Sequence, residues 1–154
     1  MIPLDESFMQ EALAQAKQAI EHGEVPVGCV VVHDGAVIAR AHNRRETWQD
    51  PTAHAEMIAL REAARKLGRW RLTGTTLYVT VEPCAMCAGA VMLARVDRLV
   101  YGCPDPKAGA CGSVFNMVRE SQLNHQVKVV GRVLAEDCSQ VLKEFFGQRR
   151  NESL

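Results

Sequence analysis

The stretch Thr76-Leu77-Tyr78-Val79-Thr80-Val81-Glu82-Pro83-Cys84-Ala85-Met86-Cys87 changes character half-way along. Its first six residues are β-branched, aromatic or apolar, which predicts a strand over 76–81. Pro83 directly precedes the first cysteine. From Cys84 to Arg95 the chain is rich in Ala, Val, Met and Leu, which predicts a helix buried on most of its surface. Strand, short turn and buried helix in succession form one unit of an α/β sheet. Both cysteines then lie at the start of that helix, where backbone N–H groups and the positive end of the helix dipole favour thiolate.

A second polar group lies upstream, at His54-Ala55-Glu56 within Asp50-Pro51-Thr52-Ala53-His54-Ala55-Glu56-Met57. His54, Cys84 and Cys87 offer one nitrogen and two sulfurs, a donor set that suits tetrahedral Zn²⁺. Three protein ligands leave a fourth position open, the mark of a catalytic rather than a structural zinc, and imply one ion per chain. A water in that position has its pKa lowered to roughly 7 and becomes a nucleophile at neutral pH. Glu56, two residues after His54, is near enough to move protons between that water and a substrate. A lone C-x-x-C also fits a redox or structural role, and a lone H-x-E arises by chance; the combination carries the reading. The alternative is a closed structural zinc with a fourth ligand such as Cys29, Cys103, Cys111 or His42. It leaves Glu56 and Asn43 without a role.

The rest of the composition narrows the class. A chain of 154 residues fits one domain, residues 1–154, with a core of its own. It is 47% hydrophobic and 23% charged, ordinary for a water-soluble globular protein. Eighteen basic and eighteen acidic residues cancel, so any affinity for nucleic acid must come from a local patch. Met1 to Glu11 carries three acids and no apolar run of signal-peptide length, and no stretch approaches the ~20 apolar residues that span a bilayer. A cytoplasmic protein without membrane contact is expected, with its six cysteines reduced.

In chain order, Asp5 or Ser7 can cap a first helix whose apolar stripe is Met9, Leu13, Ala16 and Ile20. Gly23 ends it and Pro26 forbids its return. Val27 to Val32 reads as a buried strand, Asp34-Gly35 as a two-residue hairpin turn and Ala36 to Ala41 as the returning strand. Residues 43–52 read as a polar loop. A helix follows from His54 to Leu67, with Met57, Leu60, Ala64 and Leu67 as its apolar stripe and Gly68 as its stop. After the central strand and helix come a short strand, Arg98 to Tyr101, and a Gly/Pro-rich loop over 102–112. A helical turn near Ser113 to Val118, a strand from Val127 to Val133 interrupted at Gly131, and a final helix from Glu136 to Arg149 complete the chain. The alternation predicts a three-layer α/β/α sandwich with one mixed sheet of about five strands.

Several segments together resemble the bacterial tRNA-specific adenosine deaminases, within the cytidine deaminase-like zinc deaminases. They are Glu24-Val25-Pro26-Val27-Gly28, Asn43, Asp50 to Glu56, Leu77 to Ala90, Leu123-Asn124-His125, Phe145-Phe146 and Arg149-Arg150. H-x-E followed by P-C-x-x-C is the signature of zinc deaminases, in which the glutamate is an acid/base and not a ligand. The resemblance implies a cytidine deaminase-like fold, a homodimer, and conversion of adenosine to inosine at the wobble position of a tRNA anticodon stem-loop. It makes His54, Cys84 and Cys87 the zinc ligands and Glu56 the proton shuttle. Asn43 becomes the residue that hydrogen-bonds the purine edge, since an amide both donates and accepts. Val25, Val27 and Ala55 become parts of the base pocket, and Asp105 and Lys107 part of a loop facing anticodon nucleotides. Arg149 and Arg150 become phosphate contacts; both also suit a helix end, where cations favour the dipole.

The resemblance gives no role to Thr47-Trp48-Gln49 or Arg69-Trp70-Arg71. Trp48 is open between stacking on a base and packing between subunits. Cys103, Cys111 and Cys138 read as buried structural thiols. Two rivals remain. One is a deaminase of the same fold acting on a free base or nucleotide such as guanine, cytosine or dCMP, against which the 102–112 loop and the last helix speak. The other is a non-catalytic, zinc-stabilised RNA-binding module, which has no use for Glu56.

Overall fold

The computed structural model describes residues 1–120, 122 and 125–152, so the Leu123-Asn124 part of the resemblance lies outside the described residues. Among the described residues five strands form one mixed sheet in the order β2-β1-β3-β4-β5. They are β1 (Gly28–His33), β2 (Ala36–His42), β3 (Thr75–Val81), β4 (Arg98–Cys103) and β5 (Lys128–Val130). β1 pairs antiparallel with β2 and β3, while β3, β4 and β5 run parallel. The hairpin between β1 and β2 turns at Asp34 and Gly35, whose φ values of 51° and 76° are both left-handed. That is the backbone an Asp-Gly pair tolerates best.

The period of two along the strands sorts side chains into two cores. Cys29, Val31, Leu77, Val79 and Leu99 face one way, against Ala55, Ala59, Leu60 and Ala63 of α3 (Ala55–Leu67) and Ala88 and Val91 of α4 (Ala85–Leu93). Val30, Val32, Tyr78 and Val100 face the other way, against Met9, Ala12 and Leu13 of α1 (Asp5–Glu21) and Cys138 and Val141 of α5 (Ala135–Glu152). The expected three-layer sandwich is the observed one. No helix among the described residues is long and apolar enough to cross a membrane.

Four local expectations need correction. Neither Asp5 nor Ser7 caps α1. Leu4 holds the cap position without a side-chain bond, and the Asp5 carboxylate turns inward to Arg98 and Tyr78. The α3 face also differs: Ala55, Glu56, Ala59, Leu60 and Ala63 are buried, while Met57, Ala64 and Leu67 sit at the margin. Small alanines let this helix lie close to the sheet, and close packing outweighs the larger side chains of the expected stripe. The polar loop over 43–52 contains a short helix, α2 (Arg45–Trp48). Finally, β5 ends at Val130, before Gly131. A Cβ on Gly131 would collide with the Tyr101 ring, and the chain then turns through Arg132 at φ 64°.

Candidate active site

The end of β3 and the starts of α3 and α4 converge at one edge of the sheet. Antiparallel pairing places Gly28, the first residue of β1, opposite His42, the last of β2, and parallel pairing sets Val81 of β3 beside Cys103 of β4. The loops leaving the carboxyl ends of β3 and β4 therefore meet the β1–β2 end in one place, as ligand sites of α/β sheets do. His54 and Cys84 occupy matching positions, each the extended residue immediately before a helix, α3 and α4 respectively. Cys87 is buried in the first turn of α4.

These placements bring the three candidate ligands together. His54 Nδ1 lies 3.7 Å from Cys84 Sγ and 3.5 Å from Cys87 Sγ, and all three donor atoms lie within 4.8 Å of one another. The group could hold a metal ion. Among the described residues no fourth ligand joins it; Cys29, Cys103, Cys111 and His42 stand outside. The Cys84 thiol is drawn down to about 3, first by its hydrogen bond with Cys87 and then by His54, while the same bond and burial push the Cys87 thiol up. The other cysteines are free and buried.

Glu56 is buried beside this group, in the first turn of α3. Burial raises its carboxyl to about 7, only partly countered by a hydrogen bond from its own backbone and by nearby His54. That value suits a group that must both take and give a proton near neutral pH. A cavity of about 140 Å³ opens onto the group, lined by Val27, Asn43, Arg45, His54, Glu56, Val81, Glu82, Cys84 and Asp105.

Asn43 is buried at the end of β2, and its Oδ1 accepts the Ala55 N–H at 2.8 Å. This bond serves the first N–H of α3, which has no partner within the helix. The acceptor half of the amide is engaged with the protein, so its NH₂ is the half that remains for a ligand. Ala55 therefore supports the site through its backbone rather than by lining the cavity. Val27 lines it and Val25 does not. Asp105 lines it and accepts the N–H groups of Lys107 and Ala108, while Lys107 is exposed on the same loop. Arg149 donates to the Gly23 carbonyl at 2.7 Å and lies over the Phe145 ring, tying α5 to the end of α1; Arg150 is exposed one residue on. Trp48, 51% exposed, lies beneath the Arg44 guanidinium.

The sequence reading gave no site role to Arg45, Val81 or Glu82. A glutamate directly before Pro83-Cys84, at the end of an apolar strand, was the available signal for the last.

Residues 4–150 match the family model described as MafB19-like deaminase. The tRNA-specific adenosine deaminase of Bacillus subtilis (strain 168) is 53% identical over 148 residues, covering 96% of this chain and 92% of that protein. This chain belongs to the tRNA-specific adenosine deaminase family. A solved structure from a study of A-to-I editing by tRNA:A34 deaminases at the wobble position of transfer RNA is similar to it, with a TM-score of 0.85 and 44% identity over 88% of this chain and 99% of that one. A guanine deaminase from Nitrosomonas europaea shares the fold at a TM-score of 0.81 and 24% identity over 94% of this chain and 84% of that one. At that distance it speaks for the fold and not for the substrate. Family membership and the cytidine deaminase-like sandwich agree with what the motifs imply.

Proposed function

We propose that this chain, acting as one cytoplasmic deaminase domain, converts adenosine to inosine at the wobble position of a tRNA anticodon by zinc-dependent hydrolysis. The observation that carries the reading is the His54, Cys84 and Cys87 group beside Glu56 in a cavity, on a chain of this family. The donors fit zinc. With Zn–S about 2.3 Å and Zn–N about 2.0–2.1 Å, a tetrahedral ion sets N···S edges of about 3.6 Å. The two edges here are 3.7 Å and 3.5 Å. When bound, zinc supplies a water acidic enough to act as a nucleophile at neutral pH.

The chain's own residues do the rest. Glu56 accepts a proton from the water that adds to C6 of adenine and delivers it to the purine ring nitrogen. It then takes the remaining proton of the added water, from the new C6 hydroxyl, and delivers it to the amino group, so that the C6–N bond breaks, ammonia leaves and C6 becomes a carbonyl. The Asn43 NH₂ donates to an acceptor on the base and Val27 packs against the ring. A cavity of this size admits a base splayed out of its loop, which is less costly in a single-stranded anticodon loop than in a duplex. Asp105 and Lys107 face the neighbouring nucleotides, and Arg149 and Arg150 add positive charge near the end of α5.

The decisive experiment presents an anticodon stem-loop with adenosine at the wobble position beside free adenosine, guanine and cytidine. The stem-loop should be deaminated far faster, because flanking nucleotides use binding energy to position the reacting base. Efficient turnover of guanine or cytidine with an inert stem-loop would transfer the same chemistry to a free base. We also propose a homodimer. Leu93 at the end of α4 is 65% exposed, and Val114 and Phe115 are exposed as well, leaving apolar surface for a second copy. A monomer mass by light scattering at micromolar concentration would contradict it.

A further inference from the structure

The two loops that flank the cavity are each held by a buried carboxylate that takes no part in the chemistry above. Arg45 and Asp105 line the cavity from these two loops, one basic and one acidic. Behind Arg45 stands Glu24, 1% exposed. Its Oε1 accepts the Glu46 N–H at 3.2 Å, and its Oε2 accepts both the N–H and the hydroxyl of Thr47 at 2.6 Å each. Behind Asp105 stands Glu82, 3% exposed. Its Oε1 accepts the Asp105 N–H at 3.1 Å and the Ser113 hydroxyl. Its Oε2 accepts the N–H groups of Cys111 at 3.0 Å and Ser113 at 3.1 Å. Gly109 lies against this carboxylate so closely that a Cβ there would collide with it. Every oxygen of both groups is occupied by its loop, through charge-assisted bonds that are the stronger kind.

Neither segment is a strand of the sheet: one holds the short helix α2, and the other is packed on the core only at Ala110 and Cys111. The two carboxylates add the anchoring bonds, Glu24 from 22 and 23 residues before its partners and Glu82 from 23 to 31 residues before its own. We infer that Glu24 and Glu82 are a matched pair of positioning residues, which fix the two walls of the entrance and thereby the grip on nucleotides flanking the reacting base. This rests on the proposed reading of the substrate as RNA. Glu24 lies outside the cavity lining, and Glu82 lines it with both oxygens already taken by its loop, so each acts through the backbone it holds.

The test uses Glu24→Gln and Glu82→Gln, in which an amide NH₂ now faces a backbone N–H. Thr47→Val and Ser113→Ala remove a single hydroxyl from each clamp and stand in if the glutamine variants do not fold. On the full chain with zinc, hydrogen exchange should speed up at Glu46 and Thr47 in the first variant, and at Asp105, Cys111 and Ser113 in the second. KM for the stem-loop should rise about tenfold while kcat changes by less than about threefold, since binding common to ground and transition states is lost. The hydroxyl variants should shift KM the same way by less. Zinc content should stay at the wild-type level. An unchanged KM despite faster exchange overturns the inference, as does a fall in kcat at constant KM. A wild-type protein inert on the stem-loop would instead overturn the substrate reading.

Discussion

Asp5 and Glu56 are both carboxylates buried against the same sheet, on opposite faces, and they behave in opposite ways. Asp5, on the α1 side, accepts the Ile2 N–H at 2.9 Å, the Tyr78 hydroxyl at 2.7 Å and two Arg98 N–H groups at 2.6 Å each. Burial alone would raise its carboxyl, but the bonds from Arg98, Ile2 and Tyr78 outweigh it and hold it near 2. Glu56, on the α3 side, faces a cavity, and burial wins, raising it to about 7. A buried charge whose lone pairs are all taken belongs to the fold. A buried carboxyl raised toward neutrality beside donors that could hold a metal is a candidate for the chemistry, and the proposed function uses it so.

The contrast is open to attack at three strengths. The largest expected effect comes from the metal. Chelation, or Cys84→Ala, should abolish turnover, and Cys84→Ala should also lower stability because ligand binding is coupled to folding. Elemental analysis finding active protein without zinc would remove the basis of the site. The next concerns Asp5. Asp5→Ala leaves Arg98 and the Tyr78 hydroxyl without their acceptor, and should cost about 3 kcal/mol. In thermal unfolding that lowers the midpoint by roughly 6–12 °C for a chain of this size. Turnover of the folded fraction should hold at the wild-type level; a selective loss of kcat would put Asp5 in the chemistry.

A smaller effect is the dependence of stability on acid. The folded Asp5 value of about 2 lies below its ordinary value of 3.8, so the native state binds that proton less readily than the unfolded chain. The stabilisation is present above about pH 4 and is lost as pH falls toward 2. It amounts to roughly 2 kcal/mol. Denaturant titrations of wild type and Asp5→Asn should converge across that window. Parallel curves would mean that the Arg98 pair contributes nothing.

Much of this was legible in the sequence, and the reason differs by region. Asp34-Gly35 announced its hairpin because two left-handed residues in succession admit few other pairs. His54, Cys84 and Cys87 announced a group of donors that the fold does bring together, with Glu56 buried beside it, because a metal site needs side chains of those types whatever surrounds them. Asp5 was misread as a cap. Its true partner, Arg98, lies 93 residues away, and no local pattern encodes that pairing. Arg149 was read as a phosphate contact or a helix-end cation, and neither reading included its bond to Gly23, 126 residues away. The face of α3 was misjudged because alanines bury silently: periodicity weighs large side chains, while close approach to the sheet depends on small ones. Glu24 and Glu82 stood inside recognised segments, yet the backbone N–H groups they serve leave no trace in side-chain identity.

The most direct test of the contrast is Glu56→Gln, assayed for zinc content and stem-loop turnover in one preparation. Glutamine keeps the size and polarity of the side chain but cannot carry the proton. Zinc should remain at one ion per chain, stem-loop binding should persist, and turnover should fall by at least about 10²–10⁴-fold. Near-normal turnover with zinc in place would contradict the account, because the proton would then travel by another residue.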